Sequence, residues 1–505
     1  MAKIAALSGF PEWLPSERLV EQHVIDVFRE VAELHGFSGI ETRAVEPLEQ
    51  LLRKGEIDKE VYVLRRLHAE EGDEDAGADR SRTLGLHFDL TVPLARYVLE
   101  HQNDLAFPFR RYQIQKVWRG ERPQDGRFRE FYQADLDVIG QDTLPGHVEA
   151  EVAIVMAEIL SRLPLPQVSI HANTRRLSEG FFRAIGFEDH TPVLRALDKL
   201  PKIGADAVTS LLRDEAGASE EQAQKALAFA SIRTRDASFA QQVRDLGGSG
   251  EMVEEGIAEL AAVIERVEAA VPGMIVADLS IARGLDYYTG TVFESFVAGH
   301  ESLGSICSGG RYDRLASDNR HTYPGVGLSI GLSRLVSRLV SAGMAAPSRA
   351  VPTCVLVSVA DEEHRSHSDA AARALRARGI SCEVAPSAAK FGKQIRYADR
   401  RGIPFIWFPG EEGTGGEVKD IRSGDQSAAD ATTWQPPAED LRPRVLAAQE
   451  DALGAGVGAD LQGQVRGGRD HRGGLPDRDR LLLVLQPAPA GGDRPRGGVR
   501  GHSAG

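Results

Sequence analysis

Residues 112–140 read YQIQKVWRGERPQDGRFREFYQADLDVIG. Tyr112 to Arg119 alternates apolar and polar residues, and so does Phe131 to Val138, around a loop containing Pro123 and Gly126. The pattern predicts a β-hairpin with a long polar loop. Residues two apart on a strand share a face, so Gln133, Asp135 and Asp137 point one way and Ala134, Leu136 and Val138 the other. Arg119, Arg122, Arg127 and Arg129 surround the loop. Arginine forks bind phosphates and carboxylates bidentately. The face therefore offers cations for an anionic ligand beside acceptors for a cationic one. A solvated charged hairpin would have the same composition, so the segment needs its neighbours to decide.

Upstream, HFDLTVPLAR (87–96) places Asp89 and Thr91 on one face of a short strand stopped by Pro93; alone, such a pair is commonly a turn or a cap. Downstream, DLSIARGLDYYTGTVFESFV (278–297) predicts a second hairpin, with Gly284 and Gly290 turning the backbone and exposing Arg283 and the tyrosines at its rim. GSICSGGRYD (304–313) sets two glycines before Arg-Tyr-Asp, and GVGLSIGLSRL (325–335) runs a glycine-punctuated strand into a helix bearing Arg334. The last segment lacks the dinucleotide-binding fingerprint, and its glycines instead allow close approach of a flat ligand.

Around these segments the period changes several times. Residues 18–36 are an amphipathic helix on Val20, Val24, Phe28 and Val31, followed by a strand over Ile40 to Val45. Residues 70–82 form an acidic loop. Helical patterns cover 145–163 and nearly all of 174–272, a block placed as an insertion between strand-rich segments. After Pro347 to Pro352 the order becomes strand (353–359), helix (366–378), strand (381–384), helix (390–401), strand (403–408), a small α/β domain. Residues 451–505 hold 14 Gly and 8 Arg but no Lys, Phe, Trp or Tyr. That tail, counted from 446, is either disordered or the product of a shifted reading frame in GC-rich DNA; the second is favoured.

The chain has 505 residues, with 60 Lys+Arg against 74 Asp+Glu and a net charge of -14. Binding of nucleic acid through bulk positive charge is excluded, while local patches are not. Three dispersed cysteines (Cys307, Cys354, Cys382) argue against a disulfide framework or a cysteine metal site, and no metal-binding set is expected. The N-terminus is unlike a signal peptide and no stretch is apolar enough to span a membrane, so a cytoplasmic protein is expected.

In this order the segments resemble the class II aminoacyl-tRNA synthetases, and within them the histidyl enzymes. The helix and strand ending at Pro47 resemble motif 1, the dimer element; 112–140 resembles motif 2 and 325–335 motif 3. RGLDYYTGTVFE and SGGRYD resemble segments peculiar to the histidyl enzymes, and KFGKQIRYADRRGIPFIWFPG resembles their anticodon-binding domain. The resemblance covers about residues 8 to 445. It implies an α+β fold, with a catalytic domain (1–345) built on six antiparallel strands flanked by helices. A helical insertion (174–272) and a C-terminal α/β anticodon-binding domain (350–445) complete it. It implies a homodimer that joins L-histidine and ATP, with Mg²⁺, into histidyl-adenylate and then charges tRNA(His).

By the same resemblance Arg119 clamps the α-phosphate, Arg127 and Arg334 hold the outer phosphates and adenine, and Arg283 is the catalytic arginine. Asp89, Thr91, Gln133 and Asp137 would bind the α-ammonium group, and Tyr287 and Tyr288 would enclose the imidazole. Many relatives have Glu where Asp89 and Asp137 stand; the shorter arm keeps the charge but draws it inward. Lys390, Lys393, Arg396, Arg400 and Arg401, against a single Asp399, form a basic patch for tRNA, with Tyr397 placed to stack on an unpaired base. A solvated helix face is the plain alternative there.

Three rivals compete. The non-catalytic paralogue that regulates the first enzyme of histidine biosynthesis normally lacks the C-terminal domain and parts of RGLDYY and GGRYD, which are intact here. Another class II synthetase is opposed by residues 283–290. A simple RNA-binding protein leaves the ordered arginines and acids unexplained.

Overall fold

The computed structural model describes residues 6–52, 61–65, 83–123, 126–282, 287–300, 303–318, 320–411 and 414–447. The acidic loop predicted over 70–82 lies outside the described residues, as do Arg283 and the tail beyond 447.

Helix α1 (Pro15–Leu34) is set by its own sequence. Pro15 fits the first helical position, Glu17 reaches back to accept the Leu14 N–H at 2.8 Å, and Val20, Val24, Phe28 and Val31 bury one face. Each such side chain contributes about 1.5–3 kcal/mol. The chain then runs through β1 (Ser38–Gly39), β2 (Val45–Pro47), α2 (Leu48–Leu51), β3 (Val63–Leu64), β4 (Leu84–Leu86) and α3 (Thr91–His101). The hairpin β5 (Phe109–Trp118) and β6 (Glu130–Ile139) follows, then α4 (His147–Arg162) and β7 (Val168–Thr174). The helical block comprises α5 (Arg175–Ala184), α6 (Thr191–Asp198), α7 (Leu200–Ala216), α8 (Glu220–Ala230), the short β8 (Arg233–Thr234), α9 (Phe239–Asp245) and α10 (Glu251–Ala270). Then come β9 (Ile275–Asp278), β10 (Thr291–Val297), β11 (Cys307–Ser317), β12 (Thr322–Ile330) and α11 (Leu332–Ser341). The C-terminal part holds β13 (Ala345–Pro347), β14 (Val355–Val357), α12 (Arg365–Ala377), β15 (Cys382–Val384), α13 (Phe391–Arg400), β16 (Phe405–Pro409), β17 (Gly415–Asp420), β18 (Gln426–Asp430) and β19 (Val445–Ala447).

The main sheet runs β1-β5-β6-β12-β11-β10-β7-β9-β8. Its centre, β5-β6-β12-β11-β10-β7, is the expected run of six antiparallel strands. Parallel pairings add β1 at one edge and β9 beyond β7, with β8 antiparallel outside it. Ala134, Leu136 and Val138 of β6 have no exposed surface and join α1, α4 and the helical block in one hydrophobic core. A second sheet, β15-β14-β16-β17-β18, is parallel through β15, β14 and β16 and then antiparallel. β13 and β19 form a separate antiparallel pair. Among the described residues no helix is long and apolar enough to cross a membrane.

Three local expectations are corrected. The strand over Ile40 to Val45 is instead two short ones, because the chain crosses between sheets there. β1 pairs with β5, β2 pairs with β4, and Thr42 between them is pinned by Gln113 Nε2 on its Oγ1 (2.9 Å) and Gln115 Nε2 on its carbonyl (2.8 Å). Thr91 and Pro93 lie in helix α3, not on a strand. Pro93 falls in the first turn, where the missing N–H costs nothing, and Asp89 Oδ1 accepts the Val92 N–H at 3.1 Å. Lastly, β9 and β10 are not a hairpin, since β7 lies between them.

Candidate active site

The register of β5 and β6 sets Arg111 opposite Asp137, Gln113 opposite Asp135 and Gln115 opposite Gln133. Asp137 Oδ2 lies 2.6 Å from Nη2 of Arg111, while Asp135 Oδ2 is 3.7 Å from the same nitrogen. Tyr312, on β11, donates its hydroxyl to Asp137 Oδ1 at 2.5 Å. Gln133 Nε2 donates to both oxygens of Asp135 (3.0 and 3.2 Å), and Ser329 Oγ donates to Asp135 Oδ1 at 2.5 Å. One face of the hairpin is thus a connected polar network with most of its donors and acceptors paired.

β12, lying between β6 and β11, makes room for this network. A Cβ on Gly327 would sit 2.0 Å from Asp137 Oδ1, and one on Gly325 would sit 2.4 Å from the Tyr312 ring. Two glycines two apart leave a lane without side chains, and Tyr312 lies across it.

Tyr287 and Tyr288 close the same pocket. They are half-buried, not exposed at a rim, because Tyr287 stacks on Tyr312 with ring centroids 5.4 Å apart and meets Tyr288 edge-on at 5.0 Å. Burial holds the Tyr287 hydroxyl well above the usual phenol range, and Tyr288, Asp89 and Asp137 push the same way. Burial also raises Tyr288, followed by the charges of Asp137, Asp135 and Asp89. Both stay neutral donors at physiological pH. Asp137 is joined to the two tyrosines through Tyr312, Asp89 lies near enough for its charge to raise both hydroxyls, and Thr91 hydrogen-bonds Tyr287.

Gln133 also lines a cavity of about 450 Å³. Arg119, Arg127 and Arg334 converge on it, with Phe131 and Glu121. Arg119 lies 5.2 Å from the Phe131 ring centroid and its Nε donates to the Phe88 carbonyl at 3.0 Å. Arg127 pairs with Glu121, and Arg334, in the first turn of α11, donates to the Leu303 carbonyl. Three guanidinium groups around one cavity suit a polyanion. Cys307 lines the cavity too, but burial pushes its thiol up to about 12, which excludes a thiolate nucleophile at neutral pH.

The basic patch lies on α13. Lys390, Lys393, Arg396 and Arg400 are exposed. Arg401 is half-buried, 2.6 Å from Glu383, and its guanidinium lies 5.1 Å from the Tyr397 ring centroid. Tyr397 is therefore covered by its own neighbour, and Phe391, 43% exposed at the start of the helix, is the aromatic that α13 offers to solvent.

Arg111 and Tyr312 received no role from the sequence, although both lay within or beside quoted segments; the sequence offers Gly325 and Gly327 as room for a flat ligand, and in the structure that room is taken by Tyr312 and Asp137. The hairpin register carried a signal for Arg111: counting back from the loop sets it opposite Asp137.

An antiparallel six-stranded sheet with an arginine-lined cavity beside an acidic pocket, followed by an α/β domain that carries one basic helix, defines a class II aminoacyl-tRNA synthetase. A family model described as histidyl-tRNA synthetase matches residues 9–335, and one described as anticodon binding domain matches residues 353–430. The chain belongs to the histidyl-tRNA synthetase family. A relative named histidine–tRNA ligase from Micrococcus luteus is 60% identical over 460 residues, covering 89% of this chain and 100% of the relative. The solved histidyl-tRNA synthetase from Nostoc sp. PCC 7120 superposes with a TM-score of 0.74 at 35% identity, covering 85% of this chain and 98% of that one. A Bacillus halodurans C structure, described as an ATP phosphoribosyltransferase regulatory subunit/histidyl-tRNA synthetase, shares the fold with a TM-score of 0.63 at 22% identity, covering 78% of this chain and 96% of its own.

Proposed function

We propose that the chain is an ATP-dependent histidine–tRNA ligase acting through the site above. The carrying observation is the family match over residues 9–335 and 353–430, which brings the catalytic and the anticodon-binding parts together in one chain. A carboxylate oxygen of histidine attacks the α-phosphorus of ATP; the bond to the β-phosphate breaks, giving histidyl-adenylate and pyrophosphate. A hydroxyl of the terminal adenosine of tRNA(His) then attacks the acyl carbon, and AMP leaves.

The arginine cavity would take ATP. Arg119 would hold the α-phosphate, with Arg127 and Arg334 on the outer phosphates and adenine, and Arg283 would steady charge building on the α-phosphate. Mg²⁺ enters with ATP as part of that substrate. Phosphate charge needs neutralising and Mg²⁺ prefers substrate oxygens, so the ion would be held largely through ATP. Asp89, Thr91, Gln133 and Asp137 would receive the ammonium group, and the neutral hydroxyls of Tyr287 and Tyr288 would face the imidazole. A site that hydrogen-bonds the ring nitrogens rejects isosteres lacking them by large factors. No side chain stands out as base for the transfer step, and a phosphate oxygen of the adenylate would serve. On α13, Lys390, Lys393, Arg396 and Arg400 would meet tRNA phosphates, with Arg401 supporting the helix. The protein would act as a cytoplasmic homodimer.

Histidine-dependent exchange of pyrophosphate into ATP by the full chain, with other amino acids as controls, tests the reading. Exchange with histidine alone is expected. A folded dimer giving none would favour the regulatory paralogue.

A further inference from the structure

Among the described residues, Arg111 is the largest charged side chain with no exposed surface. Burial of an ion pair is weak evidence of stabilisation, because the desolvation of both charges offsets their attraction. Its hydrogen bonding does not account for it either. Nη1 faces Gln113 Oε1 at 3.3 Å, while Nε and Nη2 make no well-aligned hydrogen bond among the described residues, Nη2 having its close charge contact with Asp137. A packed apolar residue would fill the same space without leaving a buried donor unpaired.

The surroundings of Arg111 give its charge a purpose. Asp135 and Asp137 stand two apart on one face of β6, both below 5% exposure, and Asp89 adds a third carboxylate to the same enclosure. Among the described residues, the other titratable groups facing it are Tyr287, Tyr288, Tyr312 and Cys307, all neutral at physiological pH. Arg111 is the cation paired with both β6 acids. Without it, two neighbouring buried carboxylates would share a proton. A protonated Asp137 would be a poor receptor for an ammonium group, and a protonated Asp135 would loosen its hold on Gln133.

We propose that Arg111 is a positioning residue for the amino-acid pocket: it keeps Asp137 charged and aimed by balancing Asp135, whose own task is to orient Gln133. Arg111 touches no substrate and acts only through these acids. The proposal rests on the assignment of this pocket to histidine.

Arg111→Met and the double variant Arg111→Met/Asp135→Asn separate this role from packing. In the double variant one positive and one negative charge leave together, so the net charge around Asp137 is that of the parent. In pyrophosphate exchange, R111M should raise KM for histidine by tenfold or more, roughly, with KM for ATP changing less than about twofold. The double variant should recover most of the histidine affinity, because the amide oxygen at position 135 can still accept from Gln133 Nε2. A purely structural Arg111 would shift both KM values together and show no recovery, and either result in folded protein overturns the proposal. Should R111M not fold, the double variant is compared with R111K: near-parental histidine KM in the double variant supports the charge balance, and a folded double variant that stays impaired where R111K does not overturns it. Parental protein without histidine exchange would count against the pocket assignment itself, which keeps the two failures apart.

Discussion

Tyr312 and Asp137 stand on β11 and β6, two strands apart with β12 between them, yet the tyrosine hydroxyl reaches the carboxylate at 2.5 Å. Only the missing side chains of Gly325 and Gly327 allow that reach. Tyr312 thereby joins Asp137 to the tyrosine pair that closes the pocket.

The glycine lane makes Gly327→Ala a severe change. The new methyl would lie 2.0 Å from Asp137 Oδ1, so Asp137 must move or the strands must part. Overpacking costs about 1–3 kcal/mol of stability. The loss of histidine-dependent exchange should be far larger, about a hundredfold, and circular dichroism of the same sample checks that the fold persists. Near-parental exchange would remove Asp137 from the histidine pocket.

Tyr312→Phe keeps the ring stacked on Tyr287 and deletes only the donor to Asp137. A hydrogen bond to a charged group contributes about 1.5–3 kcal/mol. KM for histidine should rise roughly tenfold or more, with KM for ATP little changed, in pyrophosphate exchange titrated with each substrate. An equal rise in both would show that the bond serves the sheet and not the pocket.

Asp135 gives a signed pH effect. Burial first, with the charge of Asp137 adding and Arg111 opposing, raises its carboxyl from 3.8 to about 6. Between those values the folded protein holds a proton that the unfolded chain has lost. This group's contribution to stability is therefore full below the lower value and declines as pH rises through the upper one. Asp135→Asn removes the penalty, so its urea midpoint should gain on the parent's from about pH 3.5 to about pH 6.5 and hold that gain above it. A constant difference over that range would mean that folding does not perturb the group.

Helix α13 is tested by salt. Replacing Lys390, Lys393, Arg396 and Arg400 by Ala should weaken tRNA binding and lower the slope of log affinity against log salt by up to about 3. Filter binding across a salt series measures both. An unchanged slope would return the helix to a solvated face.

The β5–β6 hairpin was legible because its alternation is local, and so were the polar and apolar faces of β6. Helix α3 was not: Thr91, Val92 and Pro93 have the composition of a strand end, and the decisive contact is the Asp89 carboxylate on the Val92 N–H. The separation of β9 from β10 was hidden for another reason. It depends on β7, over a hundred residues upstream of β10 and silent in any local pattern. The arginines of the cavity were named from sequence, while Arg111 escaped because a cation facing an acid across two strands leaves no mark within either strand. Late strands β17 and β18 were missed too, since they carry few buried apolar residues to set a period.

The pairing of β13 with β19 gives the C-terminal α/β domain a closed neck. Ala345–Pro347 lies against Val445–Ala447, the Ser348 N–H meets the Arg444 carbonyl at 2.7 Å, and both strands pack on α1. The domain therefore departs and returns through one doorway, hung on two leads instead of one. Its swing is restrained at both leads, and a short bridge from Pro347 to Val445 would excise it without opening the main sheet. A label on β19 itself would ride with α1 and the catalytic body, and not with the basic helix.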